Sequence, residues 1–267
     1  MTMSKRLEGR VAVITGAGSG IGYATALRLA SEGAHVVAVD TNEETGNAIA
    51  KETGNAIAAE TGGIFVKADV TNAAEVENMY KVAFDKYGRI DIAFNNAGIS
   101  PPDDDSILTT GIDAWERVLR VNTTSVFLCC KAVIPYMQKA GKGSIINTAS
   151  FVATMGAATS QIAYTASKGG VLSMSRELGV QFGREGIRVN ALSPGPVNTP
   201  LLQELFAKDK ERAARRLVHI PMGRFAAATE IAAAVAFLAS DDSSFITAAN
   251  FLVDVGISGA YVTPLDN

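Results

Sequence analysis

The chain has 267 residues, of which 48% are hydrophobic and 19% are charged, and its formal net charge is −3. This composition predicts a folded chain with a large apolar core, and the small negative charge gives no indication of nucleic acid or an anionic membrane as a partner. The two cysteines are adjacent, at Cys129 and Cys130, and there are two histidines, so we expect neither a disulfide framework nor a metal site.

The chain begins MTMSKRLEGRVAV, which has no apolar segment of the kind that precedes a signal-peptide cleavage site. We therefore expect no secretory signal, and together with the cysteine usage this favours a cytoplasmic protein in a reducing environment. The uncharged stretch at 143–167 is not expected to cross a membrane, because it divides into a strand-like and a helix-like part.

Short β-branched segments alternate with longer helical patterns. In chain order, strands are predicted at 11–15, 35–39, 64–68, 91–95, 144–148, 188–192 and 250–254. Helices are predicted between them at 22–31, 73–87, 114–138, 164–182 and 229–239. This alternation predicts an α/β fold, a single Rossmann-type doubly wound parallel sheet of about seven strands with helices on both faces. No Pro/Ser-rich linker interrupts the pattern, so we expect one domain over 1–267.

The stretch VITGAGSGIG (13–22) leads from the first predicted strand into the first predicted helix. Its glycines lack the G-x-G-x-x-G spacing of many dinucleotide-binding loops. They still allow the backbone to approach a pyrophosphate, and the helix N-terminus offers free N–H groups and a positive dipole end. The stretch therefore indicates a phosphate-binding loop, with a ligand-free turn as the alternative.

Asp40 ends the second predicted strand, 18 residues after Gly22. A carboxylate there can accept hydrogen bonds from adenosine ribose hydroxyls and repels a 2′-phosphate. No lysine or arginine follows before Lys51, and Ser19 in the loop is neutral. NAD is therefore favoured over NADP; the alternative is that Asp40 only begins a turn.

An eight-residue duplication follows, in which ETGNAIAK (44–51) is succeeded by ETGNAIAA (52–59). A period of eight turns a helix roughly 80° out of register, so the apolar residues of the two copies do not share a face. Solenoid repeats are longer and more numerous. We interpret the duplication as a lengthened surface helix without a role in function.

The segment AYTASKGG (163–170) places Tyr164 and Lys168 four residues apart on one helical face. In isolation such a pair also fits a solvated helix face. A phenol beside an ammonium becomes a usable base only if neighbouring positive charge favours the phenolate, because a free tyrosine loses its proton near pH ~10. Which interpretation applies depends on the other motifs.

Four motifs in order resemble the short-chain dehydrogenase/reductase family. Residues 15–22 match its TGxxxGxG pattern, and NNAG (95–98) follows the fourth predicted strand. SFVATMGAATSQIAYTASK (150–168) is similar to its catalytic Ser, Tyr-x-x-x-Lys segment, and SPGPVNTP (193–200) to its PG motif. The likeness extends from about Leu7 to Gly259, nearly the whole chain.

The resemblance implies a binding site for NAD. The residues implied around the pyrophosphate are Gly16, Ser19, Gly20, Ile21 and Gly22. Those implied at the adenosine and nicotinamide ends are Asp40, Asp69, Val70, Asn96, Val197 and Thr199, with Tyr164 and Lys168 also touching the cofactor. No metal is implied.

The resemblance also implies a catalytic set of Asn122, Ser150, Tyr164 and Lys168. Tyr164 would exchange a proton with the substrate oxygen, with its pKa lowered by Lys168 and by the positive nicotinamide. Ser150 would hydrogen-bond the substrate oxygen, and Lys168 would also hold the cofactor ribose. Thr148 and Ser144 are weaker candidates for the role of the serine.

Three positions depart from the family pattern. Ser150 and Tyr164 are 14 residues apart, whereas 13 is usual. Ser125 stands where a glycine is common. Val255, in VDVG, replaces a glycine of the usual DGG, which predicts strain if that position requires a positive φ.

These features predict an NAD-dependent oxidoreductase that transfers hydride between NAD(H) and a secondary alcohol or ketone, a small-molecule substrate. The alternatives are an NADPH-dependent 3-oxoacyl-thioester reductase and a catalytically silent NAD-binding scaffold. A substrate lid is expected near 200–225, whose basic residues, Lys208, Lys210, Arg212, Arg215 and Arg216, fit a solvated face or an anionic substrate. The acidic PPDDD (101–105), Gln161 and His219 have no assignable role from the sequence. A homotetramer is expected from the family and from the apolar segments 230–240 and 251–262.

Overall fold

The structure is a computed structural model that describes residues 5–48, 63–199, 202 and 217–259. Seven parallel strands form one sheet in the order β3-β2-β1-β4-β5-β6-β7. Their bounds are β1 (Val11–Thr15), β2 (His35–Asp40), β3 (Ile64–Lys67), β4 (Ile92–Asn95), β5 (Gly143–Thr148), β6 (Ile187–Pro194) and β7 (Asn250–Val253). The predicted fold class is confirmed.

The helices lie between the strands as the alternation predicts. Their bounds are α1 (Gly20–Ser31), α2 (Ala73–Tyr87), α3 (Ile112–Leu119), α4 (Ser125–Ala140), α5 (Ile162–Gln181) and α6 (Ala228–Ala239). Local signals explain some of the ends. The Asn72 side chain caps the first amides of α2, and Gly88 ends that helix at a φ of 72°.

Helices cover both faces because the strands are apolar on both. Successive β1 residues belong to different cores: Val11 and Val13 pack with α2, α4 and α5, whereas Ala12 and Ile14 pack with α1 and α6. The strand β1 pairs with β2 on one side and with β4 on the other. The chain order therefore reverses at β1, and a crevice forms at the carboxyl ends of β1 and β4, where ligands bind in open α/β sheets.

The prediction of one regular helix over 114–138 is wrong in one respect. The residues Arg120–Thr124 form a π-helical turn between α3 and α4. The Ser125 hydroxyl donates to the carbonyl of Val121, inside this turn. Inserted π turns in helices are frequent at functional sites, and this one contains Asn122.

Among the described residues, the segment Ile112–Ala140 is long and apolar enough to cross a membrane by length and composition. Buried core helices of folded proteins can have the same length and apolar composition. Here the segment packs on α2, α5 and the sheet, and its buried side chains include Val126, Cys129 and Val133.

The prediction of strain at Val255 is confirmed, because this residue has a φ of 54°. Ala248 has a φ of 58°, for which the sequence offers no signal. Side chains with a Cβ disfavour this left-handed region, and β-branched ones do so most strongly. The second copy of the duplication (52–59) and most of the predicted lid (201 and 203–216, with its basic residues) lie outside the described residues.

Candidate active site

The glycine loop after β1 is too tightly folded for a side chain at Gly16 or Gly22. Gly16 has a φ of 65°, and a Cβ on it would lie 3.0 Å from the Cα of Ala97. A Cβ on Gly22 would lie 2.0 Å from the carbonyl oxygen of Gly16. The loop therefore turns back on its own backbone, which leaves peptide groups at the crevice.

The N-terminus of α1 opens at this loop. The N-cap residue Ser19 is extended and exposed, and its hydroxyl makes no capping hydrogen bond. Gly20 follows with a φ of 54°, and Ile21 is partly buried against the core. Exposed helix amides together with a free hydroxyl suit the pyrophosphate of a dinucleotide, so these residues fit the group that the sequence implied.

Asp40 lies at the end of β2, beside the loop. Its carboxylate accepts hydrogen bonds from the amide of Gly18 at 2.9 Å and from that of Asn42 at 3.0 Å. A Cβ on Gly18 would meet this carboxylate, because it would lie 2.9 Å from Oδ2. Asp40 thus also holds the loop in place, a contact that sequence reasoning missed. A carboxylate accepts about four hydrogen bonds, so capacity remains for a ribose.

The predicted residues of the nicotinamide side lie at the same edge of the sheet. The amide nitrogen of the Asn96 side chain donates to the carbonyl of Thr15 at 3.2 Å. Val197 pairs with Ala226 in a β-bridge, which positions the segment before Thr199. A Cβ on Gly20 would lie 3.5 Å from the Thr199 methyl, so this segment faces the glycine loop.

The predicted adenine residues follow β3. Asp69 is exposed, and its Oδ1 accepts hydrogen bonds from the amide of Thr71 at 2.9 Å and from the hydroxyl of Thr71 at 2.8 Å. Val70 is buried. Both lie at the carboxyl edge of the sheet, two strands away from β1.

Three of the predicted catalytic residues come together at the carboxyl end of β5. The Ser150 hydroxyl lies close enough to the Tyr164 phenol to act on its pKa. The Lys168 ammonium lies 5.6 Å from the centroid of the Tyr164 ring. It donates to the carbonyl of Thr148 at 2.8 Å, and the side chain is only 3% exposed. The longer Ser150–Tyr164 spacing therefore does not separate the two residues.

The electrostatics of the pair differ from the prediction. Burial raises the pKa of Tyr164, and the neighbouring Ser150 hydroxyl opposes this rise only in part. Burial also lowers the pKa of Lys168 to about 8, because the ammonium is removed from water. The predicted lowering of the tyrosine pKa is thus wrong for the protein's own groups. Of the two positive charges in that prediction, only the nicotinamide of a bound cofactor remains to lower the pKa of Tyr164.

Asn122 is fully buried in the π turn, and protein groups take up both N–H groups of its side-chain amide. Its Oδ1 accepts from the amide of Ile99 at 2.8 Å, and its Nδ2 donates to the carbonyl of Ile99 at 2.9 Å and to the Ser167 hydroxyl at 3.1 Å. A Cβ on Gly98 would lie 3.2 Å from Asn122 Oδ1 and 3.4 Å from Lys168 Nζ. Asn122 and Lys168 thus flank the same glycine.

Sequence reasoning missed several supporting residues. Ser167 donates to the carbonyl of Tyr164 at 2.6 Å and accepts from Asn122, so it joins the π turn to α5. Behind the site, Asn95 donates to Asn147 at 2.8 Å, and Asn147 donates to Ser175 at 3.0 Å. The sequence does contain a signal for Asn95 and Asn147, because both are polar residues inside otherwise apolar strands.

The weaker serine candidates have other partners. Ser144 lies at the amino end of β5 and donates to the carbonyl of Leu238 at 2.8 Å, so it is outside the site. The Thr148 hydroxyl donates to Asn96 at 3.5 Å. Gln161 is the N-cap residue of α5 without a side-chain capping bond, and His219 is exposed.

A cavity of about 460 Å³ lies at the opposite, amino end of the strands, away from these residues. Its lining includes Arg10, Lys142, Arg188, Asp241 and the exposed Phe245. Within the described part of the chain, no group of three or more His, Cys, Asp or Glu side chains is placed to hold a metal ion. The residues predicted from the sequence to bind cofactor and substrate lie at the other, carboxyl end of the strands.

Comparisons with known proteins show which family the chain resembles. A family model described as enoyl-(acyl carrier protein) reductase matches residues 16–258. The chain is 39% identical to 3-oxoacyl-[acyl-carrier-protein] reductase FabG of Thermotoga maritima over 252 residues, covering 94% of this chain and 99% of the relative. It is 42% identical to the short chain dehydrogenase/reductase astE of Aspergillus oryzae over 258 residues, covering 94% and 96% of the two chains.

Among solved structures, the crystal structure of levodione reductase is similar with a TM-score of 0.90 and 38% sequence identity. It covers 96% of this chain and 100% of that chain. The family model spans the glycine loop from Gly16, the Tyr164–Lys168 pair and the segment around Val197. By its sequence matches and by its fold, this chain belongs to the short-chain dehydrogenase/reductase family.

Proposed function

We propose that the protein is an NAD-dependent dehydrogenase or ketoreductase in which Tyr164 is the acid–base residue, supported by Ser150, Lys168 and Asn122. Its family relatives are oxidoreductases of alcohol and ketone groups, and this broader activity is established for the chain. The observation that carries the finer proposal is the contact of the Tyr164 phenol with Ser150, one helical turn from the buried Lys168.

In this proposal, the chain's own residues manage the proton, and a nicotinamide cofactor held in the crevice would supply the hydride acceptor, as NAD+, or the hydride donor, as NADH. The Tyr164 oxygen takes the hydroxyl proton of an alcohol, or returns it to the oxygen of a ketone being reduced. Ser150 donates a hydrogen bond to the same substrate oxygen. Lys168, anchored on the Thr148 carbonyl beside the Tyr164 ring, would hold the cofactor ribose, and the positive nicotinamide of a bound cofactor would favour the phenolate.

The preference for NAD rests on Asp40. Its carboxylate lies beside the Gly18 amide at the adenosine end of the crevice, where it would accept hydrogen bonds from ribose hydroxyls and repel a 2′-phosphate. The nearest described lysine or arginine in the following segment is Lys67, and it pairs with Glu43 at 3.5 Å. A second carboxylate therefore neutralises that lysine, and the local charge disfavours NADP.

The test of the acid–base proposal is Tyr164→Phe, with Tyr136→Phe as the matched control. Tyr136 packs against Phe84 on the same side of the sheet, away from the site. We expect Tyr164→Phe to lose about 10²–10⁴-fold in kcat while the Kd for NAD changes little, because the ring remains and only the proton carrier is lost. Tyr136→Phe should retain the parent rate. A Tyr164→Phe variant at half the parent rate would refute the assignment.

A second candidate is an NADPH-dependent 3-oxoacyl-thioester reductase. The description of the family model and the name of the Thermotoga maritima relative favour it. Assaying a 3-oxoacyl thioester with NADPH against secondary alcohols with NAD, under one set of conditions, distinguishes the two. Absence of turnover in both, with NAD still bound, would instead support the silent scaffold.

The substrate and the location are also proposals. We propose a small secondary alcohol or ketone, and a panel of secondary alcohols and polyols followed by NADH absorbance would identify its class. Both cysteines are buried and unpaired, which is compatible with a reducing cytoplasm. Fractionation of the producing cells with an activity assay tests the location.

We further propose a homotetramer with two-fold axes. Large apolar side chains remain on the predicted contact elements: Phe127 on α4 is 50% exposed and Leu252 on the edge strand β7 is 45% exposed. Two-fold contacts repeated about two axes would cover both. Light scattering at micromolar concentration should give four chains, and Phe127→Glu should reduce that number. A fully active monomer would contradict this proposal.

A further inference from the structure

The helix that carries Tyr164 and Lys168 is capped by a residue from another part of the chain. Its own N-cap residue, Gln161, makes no side-chain capping bond. Instead, the Asp104 carboxylate accepts hydrogen bonds from the amide of Ala163 at 2.9 Å and from the amide of Tyr164 at 2.7 Å. The amide of Ile162 donates to the carbonyl of Asp105 at 3.1 Å. Three amides of the first turn are therefore satisfied by the acidic segment 101–105.

Asp104 makes these bonds from a buried position, since it is only 6% exposed. A carboxylate taken out of water is costly unless it is hydrogen-bonded, and the N-terminus of a helix supplies both donors and a favourable dipole. Each of its two oxygens accepts a different amide, so the geometry is two-point and fixes orientation as well as distance.

The capping segment is in turn held to the other helix of the site. Arg117 on α3 donates to both oxygens of Asp103 at 2.7 Å, and the amide of Asp105 donates to the Thr110 hydroxyl at 2.9 Å. The helix α3 leads directly into the π turn that contains Asn122. The segment thus bridges the two elements that carry Asn122 and Tyr164.

We propose that Asp104 is a positioning residue for the reaction: by capping α5 at the amide of Tyr164, it sets where the phenol lies relative to Ser150 and Asn122. This inference rests on the proposed acid–base role of Tyr164. An error of about 1 Å in the position of a reacting group can lower a rate about 10²-fold. A cap that acts on the backbone of Tyr164 itself is well placed to prevent such an error.

Four readouts on Asp104→Ala, Asp104→Asn and the control Asp103→Asn test the proposal: kcat, KM, the Kd for NAD and the free energy of unfolding. We expect Asp104→Ala to lower kcat roughly tenfold or more, with less than a threefold change in the Kd for NAD. Asp104→Asn, whose one amide oxygen can accept one of the two amides, should lose less. Asp103→Asn breaks the exposed pair with Arg117 but leaves the cap, and should keep kcat within about twofold.

Hydrogen exchange of a peptide covering 161–168 provides a readout that does not depend on turnover. Faster exchange in Asp104→Ala than in Asp103→Asn would verify the cap even if Tyr164→Phe showed that the proposed function is wrong. A second change, Gln161→Ser, would supply a local cap in the Asp104→Ala chain. Compared with Gln161→Ser alone, we expect the double variant, Gln161→Ser with Asp104→Ala, to recover more of its free energy of unfolding than of its kcat.

The proposal is overturned if folded Asp104→Ala keeps the parent kcat, or if kcat recovers fully with stability in the double variant. Equal loss of kcat in Asp103→Asn would also overturn it, because the effect would then belong to the segment and not to the cap. Should Asp104→Ala not fold, Asp104→Asn decides: normal kcat together with faster exchange at 161–168 would contradict the positioning role.

Discussion

Replacing Lys168 by Met should remove a large pH dependence of stability, and its size follows from the burial of the ammonium. Burial lowers the pKa of Lys168 from 10.5 to about 8. One pKa unit corresponds to about 1.4 kcal/mol, so keeping this ammonium charged in the folded chain costs about 3 kcal/mol. Methionine retains most of the apolar stem but carries no charge.

The sign of the effect follows from proton binding. Between pH 8 and pH 10.5 the unfolded chain holds a proton on Lys168 that the folded chain has lost. The unfolded state binds more protons in that window, so this lysine makes the free energy of unfolding rise with pH there. Below pH 8 the full penalty applies, and above pH 10.5 it is absent.

Urea unfolding at about pH 7.5 and about pH 10, at one protein concentration, measures the difference. Between these two pH values, the free energy of unfolding of the parent should rise by about 2.5 kcal/mol more than that of Lys168→Met. The reason is that this pH range covers most of the interval between the folded and the unfolded pKa of Lys168. The variant also loses the hydrogen bond to the Thr148 carbonyl, which costs about 1–3 kcal/mol at either pH and does not affect the comparison.

Lys139→Met serves as the control, because this lysine is exposed in the last turn of α4. It should retain the pH dependence of the parent. The reasoning is refuted if Lys168→Met shows the same change in unfolding free energy between the two pH values as the parent does. We also expect Lys168→Met to lose turnover under the proposed mechanism, in which this lysine serves the reaction at a cost in stability.

Three further outcomes are expected. The parent should prefer NAD over NADP at least about tenfold in kcat/KM, because charge-assisted hydrogen bonds contribute about 1.5–3 kcal/mol. Asp40→Ser should narrow that preference, whereas Glu44→Gln, at an exposed neighbouring carboxylate, should not. Equal kcat/KM values for NAD and NADP in the parent would contradict the role of Asp40. Val255→Gly should raise the free energy of unfolding by about 1 kcal/mol in urea denaturation, because glycine relieves the strain of the positive φ. The control Gly256→Val, at a neighbouring residue with a φ of 83°, should lower the free energy of unfolding. A Val255→Gly variant less stable than the parent would show that strain is not the dominant effect. Deleting 52–59 should leave soluble protein with unchanged affinity for NAD, because closure entropy varies slowly with length; a tenfold weaker Kd would show a role for the duplication.

Much of the fold could be predicted because its signals are local. The strands are short β-branched runs whose two faces are both apolar, and the observed bounds of β1 and α2 coincide with the predicted ones. The glycine loop was also predictable as a feature, because Gly16 and Gly22 lie close together in the chain and the loop folds back on itself between them. The spacing of Tyr164 and Lys168 is itself local, and four residues of helix suffice to bring both side chains to one face.

The features that the sequence did not predict depend on contacts between segments that are distant in the chain. The π turn at Arg120–Thr124 has no local sequence signal, and its stabilising partners, Ile99 and Ser167, lie on other elements. The acidic segment 101–105 was uninterpretable in sequence because Asp104 acts on amides that lie 59 and 60 residues further along the chain.

The sequence by itself determined the alternation of strands and helices, the glycine loop after β1 and the spacing of the tyrosine–lysine pair, because each depends on backbone conformation over a few residues. Only the tertiary structure decided the cap of α5, the second role of Asp40 as an acceptor for the Gly18 amide, and the direction in which the pKa values of Tyr164 and Lys168 move. Desolvation and long-range hydrogen bonds depend on which distant segments exclude water from a group, and that is a property of the packed chain and not of its neighbours in sequence.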